Sequence, residues 1–111
     1  MFNKIFIDEF SKTITKVNYD KLSKIINLIN IVQKTKSRIF FVGVGGSAAN
    51  CSHAVNDFRK ICNINAMTPL DNVPELSANI NDSGWNNSLI NSLSISNINK
   101  KDLIFFLSVG G

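Results

Sequence analysis

The sequence predicts an α/β domain: a three-layer αβα sandwich with a parallel sheet, flavodoxin-like, preceded by two helices. Three observations lead there. The chain opens with two apolar stripes at helical spacing. Two short runs, Arg38-Ile39-Phe40-Phe41-Val42 and Leu103-Ile104-Phe105-Phe106-Leu107, are continuously apolar rather than strictly alternating, as central parallel strands covered on both faces are. Each run passes into a Gly-rich segment, and helical patterns separate them, which is the order of a parallel sheet.

In the first stripe, Phe2, Ile5, Phe6, Phe10, Ile14 and Val17 recur every three to four residues; the second holds Leu22, Ile25, Ile26, Ile29 and Val32. Asp20, or Asn18 before it, is placed to cap the second helix. Two apolar faces exceed what a small sheet covers, so oligomerisation is expected, with plain packing inside the chain as the alternative. After the first strand, Ser47 to Arg59 reads as a helix with Ala48, Cys51, Ala54, Val55 and Phe58 on its packed side. Asn65 to Thr68 suits a short strand ended by Pro69, and Asp71 or Asn72 caps a helix that starts near Pro74 and runs toward Asn81. Asp82-Ser83-Gly84 reads as a turn. Between Trp85 and Asn99 the pattern is ambiguous: Leu89 and Leu93 suggest a helix that Asn and Ser weaken. The last strand is the final element, and its uncovered surface makes an incomplete domain the expectation.

A chain of 111 residues fits one domain. The net charge of +4 comes from scattered lysines, not from a stripe mixed with aromatics. A nucleic-acid surface is therefore not expected, and a modestly positive protein suits a small anionic metabolite. Cys51 and Cys62 lack metal-site or redox spacing and read as buried or half-buried thiols. Neither a signal-peptide pattern nor an apolar stretch of about 18 residues is present, so the expectation is a cytoplasmic protein without membrane contact.

The chemistry gathers at Gly43-Val44-Gly45-Gly46-Ser47, where a buried strand hands over to a helix. Ligands of open α/β sheets bind at such carboxyl ends. Glycines permit a tight turn, free amides at the helix start can face an anion, and Ser47 adds a hydroxyl that can cap the helix or bond a phosphate oxygen. The loop is not a Walker A motif, and it matches a dinucleotide fingerprint poorly, with Ala48 at the third glycine position. A purely structural turn is the competing reading. His53 and Asp57, four residues apart on the next helix, share a face roughly one and one and a half turns below the loop. Such a pair can move protons on an anchored sugar, bind a divalent metal, or be an ordinary surface pair. Asn81-Asp82 could bond sugar hydroxyls or form an Asx turn. Ser108 ends the last strand at the same sheet edge as Ser47.

The run Phe41-Val42-Gly43-Val44-Gly45-Gly46-Ser47-Ala48-Ala49, followed by His53, Asp57, Asn81-Asp82-x-Gly84 and Ser108-Val109-Gly110-Gly111, resembles the sugar-isomerase (SIS) domain, and within it the phosphoheptose isomerases, also called sedoheptulose 7-phosphate isomerases. The resemblance covers the first half to two-thirds of such a protein. It implies a partial SIS domain over 1–111, with 1–36 as N-terminal helices and 37–111 as the phosphosugar-binding part. It further implies a cytoplasmic homotetramer that converts sedoheptulose 7-phosphate to a heptose 7-phosphate for lipopolysaccharide and related glycans. By position, the resemblance makes Val44, Gly45, Gly46, Ser47, Asn81, Asp82 and Ser108 substrate contacts, Asp57 and His53 the catalytic pair, and His53 with Asp57 ligands of a possible zinc ion. Three positions depart from the family pattern: Val44 stands for Asn, Asp57 for Glu and Gly110 for Ser. A shorter carboxylate reaches about one methylene less far, which bears on proton transfer. A non-catalytic phosphosugar-binding or regulatory module is the alternative.

Overall fold

The structure, a computed structural model, describes residues 1–110. The chain forms α1 (Phe2–Ile14), α2 (Tyr19–Thr35), β1 (Arg38–Gly43), α3 (Gly46–Lys60), β2 (Asn65–Met67), α4 (Val73–Ser83), α5 (Trp85–Ile95) and β3 (Leu103–Leu107). The strands make a parallel sheet in the order β2-β1-β3, with Ile39 opposite both Ala66 and Leu103. Parallel strands require crossovers, and the helices between them provide these.

Local chemistry explains the element ends. Asn18 rather than Asp20 caps α2, its side-chain oxygen accepting from the Lys21 amide at 2.9 Å. Lys36, left-handed at φ 56°, closes the helix, while the amides of Lys36 and Ser37 donate back to Gln33 and Val32. Asn72 caps α4 through the Glu75 amide at 3.2 Å, and Pro74 occupies its first turn, where a missing N–H is harmless.

The alternate residues of β1 face two layers. Ile39 and Phe41 pack with Val32 of α2, Cys51 and Val55 of α3, and Ile64 and Ala66. Phe41 also meets Phe58 edge-on at 5.0 Å and Phe105 at 5.6 Å between ring centres. Phe40 on the opposite face is buried, and on that side α5 buries Ser88, Ser92 and Leu93. Asn79 donates to the Ser92 hydroxyl at 3.0 Å and joins α4 to α5.

Two sequence expectations change. The ambiguous segment after Trp85 is a regular helix, because its serines are small enough to pack inward and bond back to its own carbonyls, as Ser88 does to Trp85 at 2.8 Å. Asn81 and Asp82 lie inside α4, not in a loop, and the helix stops one residue short of Gly84. The last strand leaves apolar surface uncovered, as the sequence leads one to expect: Leu103, Phe105 and Leu107 flank the core, while Phe106 is 68 % exposed. Gly111, at the end of the second Gly-rich segment, lies outside the described residues.

At the amino ends of β1 and β3, Arg38 and Asp102 form a paired clamp. Arg38 donates through Nη2 to Asp102 Oδ2 at 2.6 Å and through Nε to Oδ1 at 3.1 Å. Its remaining donors reach the carbonyls of Ser96 and Asn97, and its guanidinium stacks over Phe40. Asp102 also accepts from the Asn99 amide at 3.0 Å.

Candidate functional site

The loop after β1 has two glycines with separate physical reasons. A Cβ on Gly43 would fall 2.9 Å from the Cβ, carbonyl carbon and oxygen of Ser47, so the helix start approaches the strand end as only glycine allows. Gly45 sits at φ 60°, ψ −125°, which side chains resist. The amides of Ser47 and Ala48 turn inward, donating to the carbonyls of Val44 at 3.1 Å and Gly45 at 3.0 Å. Among the described residues, the amides of Gly45 and Gly46 have no hydrogen-bond acceptor. Ser47 does not cap the helix: Gly45 is the N-cap and no side chain caps it. The Ser47 hydroxyl has no partner among the described residues, and neither has that of Ser108.

These two hydroxyls line one cavity of about 310 Å³ at the carboxyl ends of β1 and β3. Val42, Val44, Leu89, Phe106, Leu107 and Val109 provide apolar walls, and no charged side chain lines it. An anion held there would be gripped by hydroxyl and amide dipoles alone. Sequence reasoning missed Leu89 and Phe106, because an apolar wall has no local signature and only the sheet brings α5 and β3 to the loop. Another cavity of about 300 Å³ lies beside Lys36, Arg59 and Asn63 near the start of β1, where Gln33 is occupied in bonding the Cys62 carbonyl at 2.6 Å.

The His53 and Asp57 side chains meet, with Nε2 at 3.1 Å from Oδ2. They are 77 % and 41 % exposed, so the pair lies on the solvent side of α3, while Cys51 and Val55 face the core. Six and ten residues past Ser47, they sit about 9 and 15 Å along the helix axis, nearly two and three turns, which is farther than the sequence reading placed them. Neither lines the Ser47–Ser108 cavity. Asn81 donates to Asp82 at 3.0 Å on exposed α4, also apart from it. Between the two places, the Ser52 hydroxyl donates to Asp71, a contact with no sequence signal. Burial, with the Asp71 carboxylate nearby, pushes the Cys51 thiol up, so it stays protonated. Both cysteines are free, Cys51 buried and Cys62 half-buried.

No family model matches this chain, and no curated protein sequence matches it. Among solved structures it is similar to phosphoheptose isomerase GmhA from Neisseria gonorrhoeae, with 17 % identity and a TM-score of 0.67, over 97 % of this chain and 61 % of that one. The fold is SIS-like. The chain therefore spans less than two-thirds of the length of the solved structure it matches. At this identity the likeness speaks for the αβα architecture and not for a reaction.

Zinc can be tested against the donors present. His53 and Asp57 are spaced like neighbouring ligands on one ion, but tetrahedral zinc takes four. Among the described residues no group of three or more His, Cys, Asp or Glu could hold a metal. These residues alone do not fit a zinc site. Among the described residues, no helix is long and apolar enough to cross a membrane.

Proposed function

We propose that this chain is part of a cytoplasmic sugar-phosphate aldose–ketose isomerase that converts sedoheptulose 7-phosphate to a heptose 7-phosphate for surface glycans, assembled as a homo-oligomer, a tetramer by resemblance. The observation that supports this most is the cavity lined by Ser47 and Ser108; Gly45 and Gly46, whose amides have no acceptor among the described residues, belong to the same loop but do not line it. In this reading, those hydroxyls and amides hold the phosphate, and Val44 packs against the ligand. Asp57 takes a proton from C1 of the ketose to give the enediol and returns it to C2, while the hydroxyl proton on O1 passes to O2 through a group outside this chain; His53, bonded to Asp57, orients the carboxylate. Asn81 and Asp82 bond sugar hydroxyls. An exposed acid–base pair works poorly in water, so a neighbouring protomer would cover it.

The deciding variant is Asp57→Asn in the protein that carries this chain. A coupled assay should show turnover falling by about 100-fold or more, while sedoheptulose 7-phosphate binding by calorimetry changes less than about tenfold. Unchanged turnover refutes the base assignment. A second reading, a phosphosugar-binding module without catalysis, is favoured by one observation: His53 and Asp57 lie outside the cavity. Binding without turnover in the unaltered protein would select it.

A further inference from the structure

The amino ends of β1 and β2 hold a cavity that the reaction proposed above does not use. It measures about 300 Å³ and is lined from the ends of α2 and α3 and from the start of β2. Val32 and Ile64, both buried, form its apolar floor. Its polar lining includes Lys36, Arg59, Asn63 and Asn65. The walls are tied together: Gln33 donates to the Cys62 carbonyl at 2.6 Å, and the Ile64 amide donates back to the Phe58 carbonyl at 3.0 Å. Lys36 and Asn63 both take left-handed backbone, at φ 56° and 53°, where the chain leaves each helix for the strand that follows.

Lys36 and Arg59 are the charged residues of this lining, and no carboxylate shares it. Among the described residues neither has an ion-pair partner, whereas Arg38 is committed to Asp102, Ser96 and Asn97. Asp71 lines an adjoining cavity with Arg59, but its carboxylate accepts from the Ser52 hydroxyl and makes no ion pair with the guanidinium. Basic residues at helix C-termini commonly do no more than complement the helix dipole. Each helix end carries only about half a negative charge, so two cations against two ends leave the cavity about one charge positive.

We propose that this cavity is a second anion site, which takes a small metabolite bearing phosphate or carboxylate oxyanions. Arg59 forks onto two oxygens of the anion, and Lys36 adds a point charge. The side-chain amides of Asn63 and Asn65 bond its remaining oxygens or hydroxyls. About 300 Å³ is the lower end of the range for small-molecule sites, which suits a compact polyanion. The site lies at the opposite end of the sheet from Ser47 and Ser108, so it stands or falls independently of the isomerase reading.

The protein that carries this chain can be titrated calorimetrically with inorganic pyrophosphate and, separately, with citrate, at low ionic strength where charges are least screened. At least one probe should bind, and the tighter of the two tells a phosphorylated ligand from a polycarboxylate. Arg59→Ala should weaken that binding by about tenfold. Lys36→Gln should weaken it several-fold, and Arg59→Lys, which keeps the charge and loses the fork, should fall between wild type and Arg59→Ala. Lys12→Ala removes a charge on α1, outside the cavity, and should change it by less than about twofold. Ser47→Ala with Ser108→Ala should leave the Arg59-dependent binding intact. No binding by either probe, or an Arg59→Ala variant that binds as tightly as wild type, overturns the proposal. So does an equal loss in Lys12→Ala, because diffuse surface charge then accounts for the binding. Loss in the serine double variant alone overturns it too, because the probe then sits at the other end of the sheet.

Discussion

The two ends of the sheet use the same strands for opposite purposes. At the amino end, Arg38 on β1 and Asp102 just before β3 saturate one another, and their spare donors and acceptors are taken by Ser96, Asn97 and Asn99. At the carboxyl end, Ser47 and Ser108 bring hydroxyls to a common cavity, and neither has a partner among the described residues. A buried polar group left unbonded costs about 1–3 kcal/mol, which the closed clamp avoids at the amino end, whereas Ser47 is half-buried and Ser108 exposed, so water can meet their hydroxyls. The contrast gives the amino end a stabilising clamp, and it leaves the carboxyl end free for the ligand contact proposed above.

The strongest way to break this comparison is Asp102→Ala. It strands Arg38 and should lower unfolding free energy in urea by about 3 kcal/mol. The Arg38 guanidinium holds the Asp102 carboxyl below the usual carboxylate range, with burial acting in the opposite direction. The unfolded chain therefore binds more protons between the lowered value and about pH 4. The clamp's contribution is complete above about pH 4 and disappears as the pH falls through the lowered value. Asp102→Asn should flatten that acid limb. Next is Gly43→Ala, which collides with Ser47 across the loop and should cost about 2 kcal/mol in the same assay. Its effect on binding should exceed its effect on stability, because it displaces the start of α3. The smallest stability change belongs to Ser47→Ala with Ser108→Ala, about 0.5 kcal/mol or less, since these hydroxyls hold nothing in the fold. The same double variant should weaken sedoheptulose 7-phosphate binding by about tenfold or more in calorimetry. Equal losses of stability at both ends would erase the distinction between them.

Periodicity made much of the fold legible. The stripes of α1 and α2, the apolar run of β1 and the small-residue face of α3 are local patterns, and the folded elements follow them. Asn81 and Asp82 misled because Asn, Asp, Ser and Gly together favour turns, while the helix begun at Asn72 continues through them. α5 was obscured because Ser88 and Ser92 are polar by composition but buried by packing. Ser47 and Ser108 were legible as residues of one sheet edge. The exposure of His53 was not, since helical spacing gives a shared face but not which way that face points.

From the amino acids alone came the order of helices and strands, the glycine turn after β1 and the pairing of His53 with Asp57, all of which depend on neighbours within a few residues. Three-dimensional packing decided the rest. It brought Arg38 to Asp102 and Ser47 to Ser108, and it turned the His53–Asp57 face toward solvent. Contacts between residues some sixty positions apart exist only once parallel strands lie side by side, and strand order is set by how the crossover helices pack.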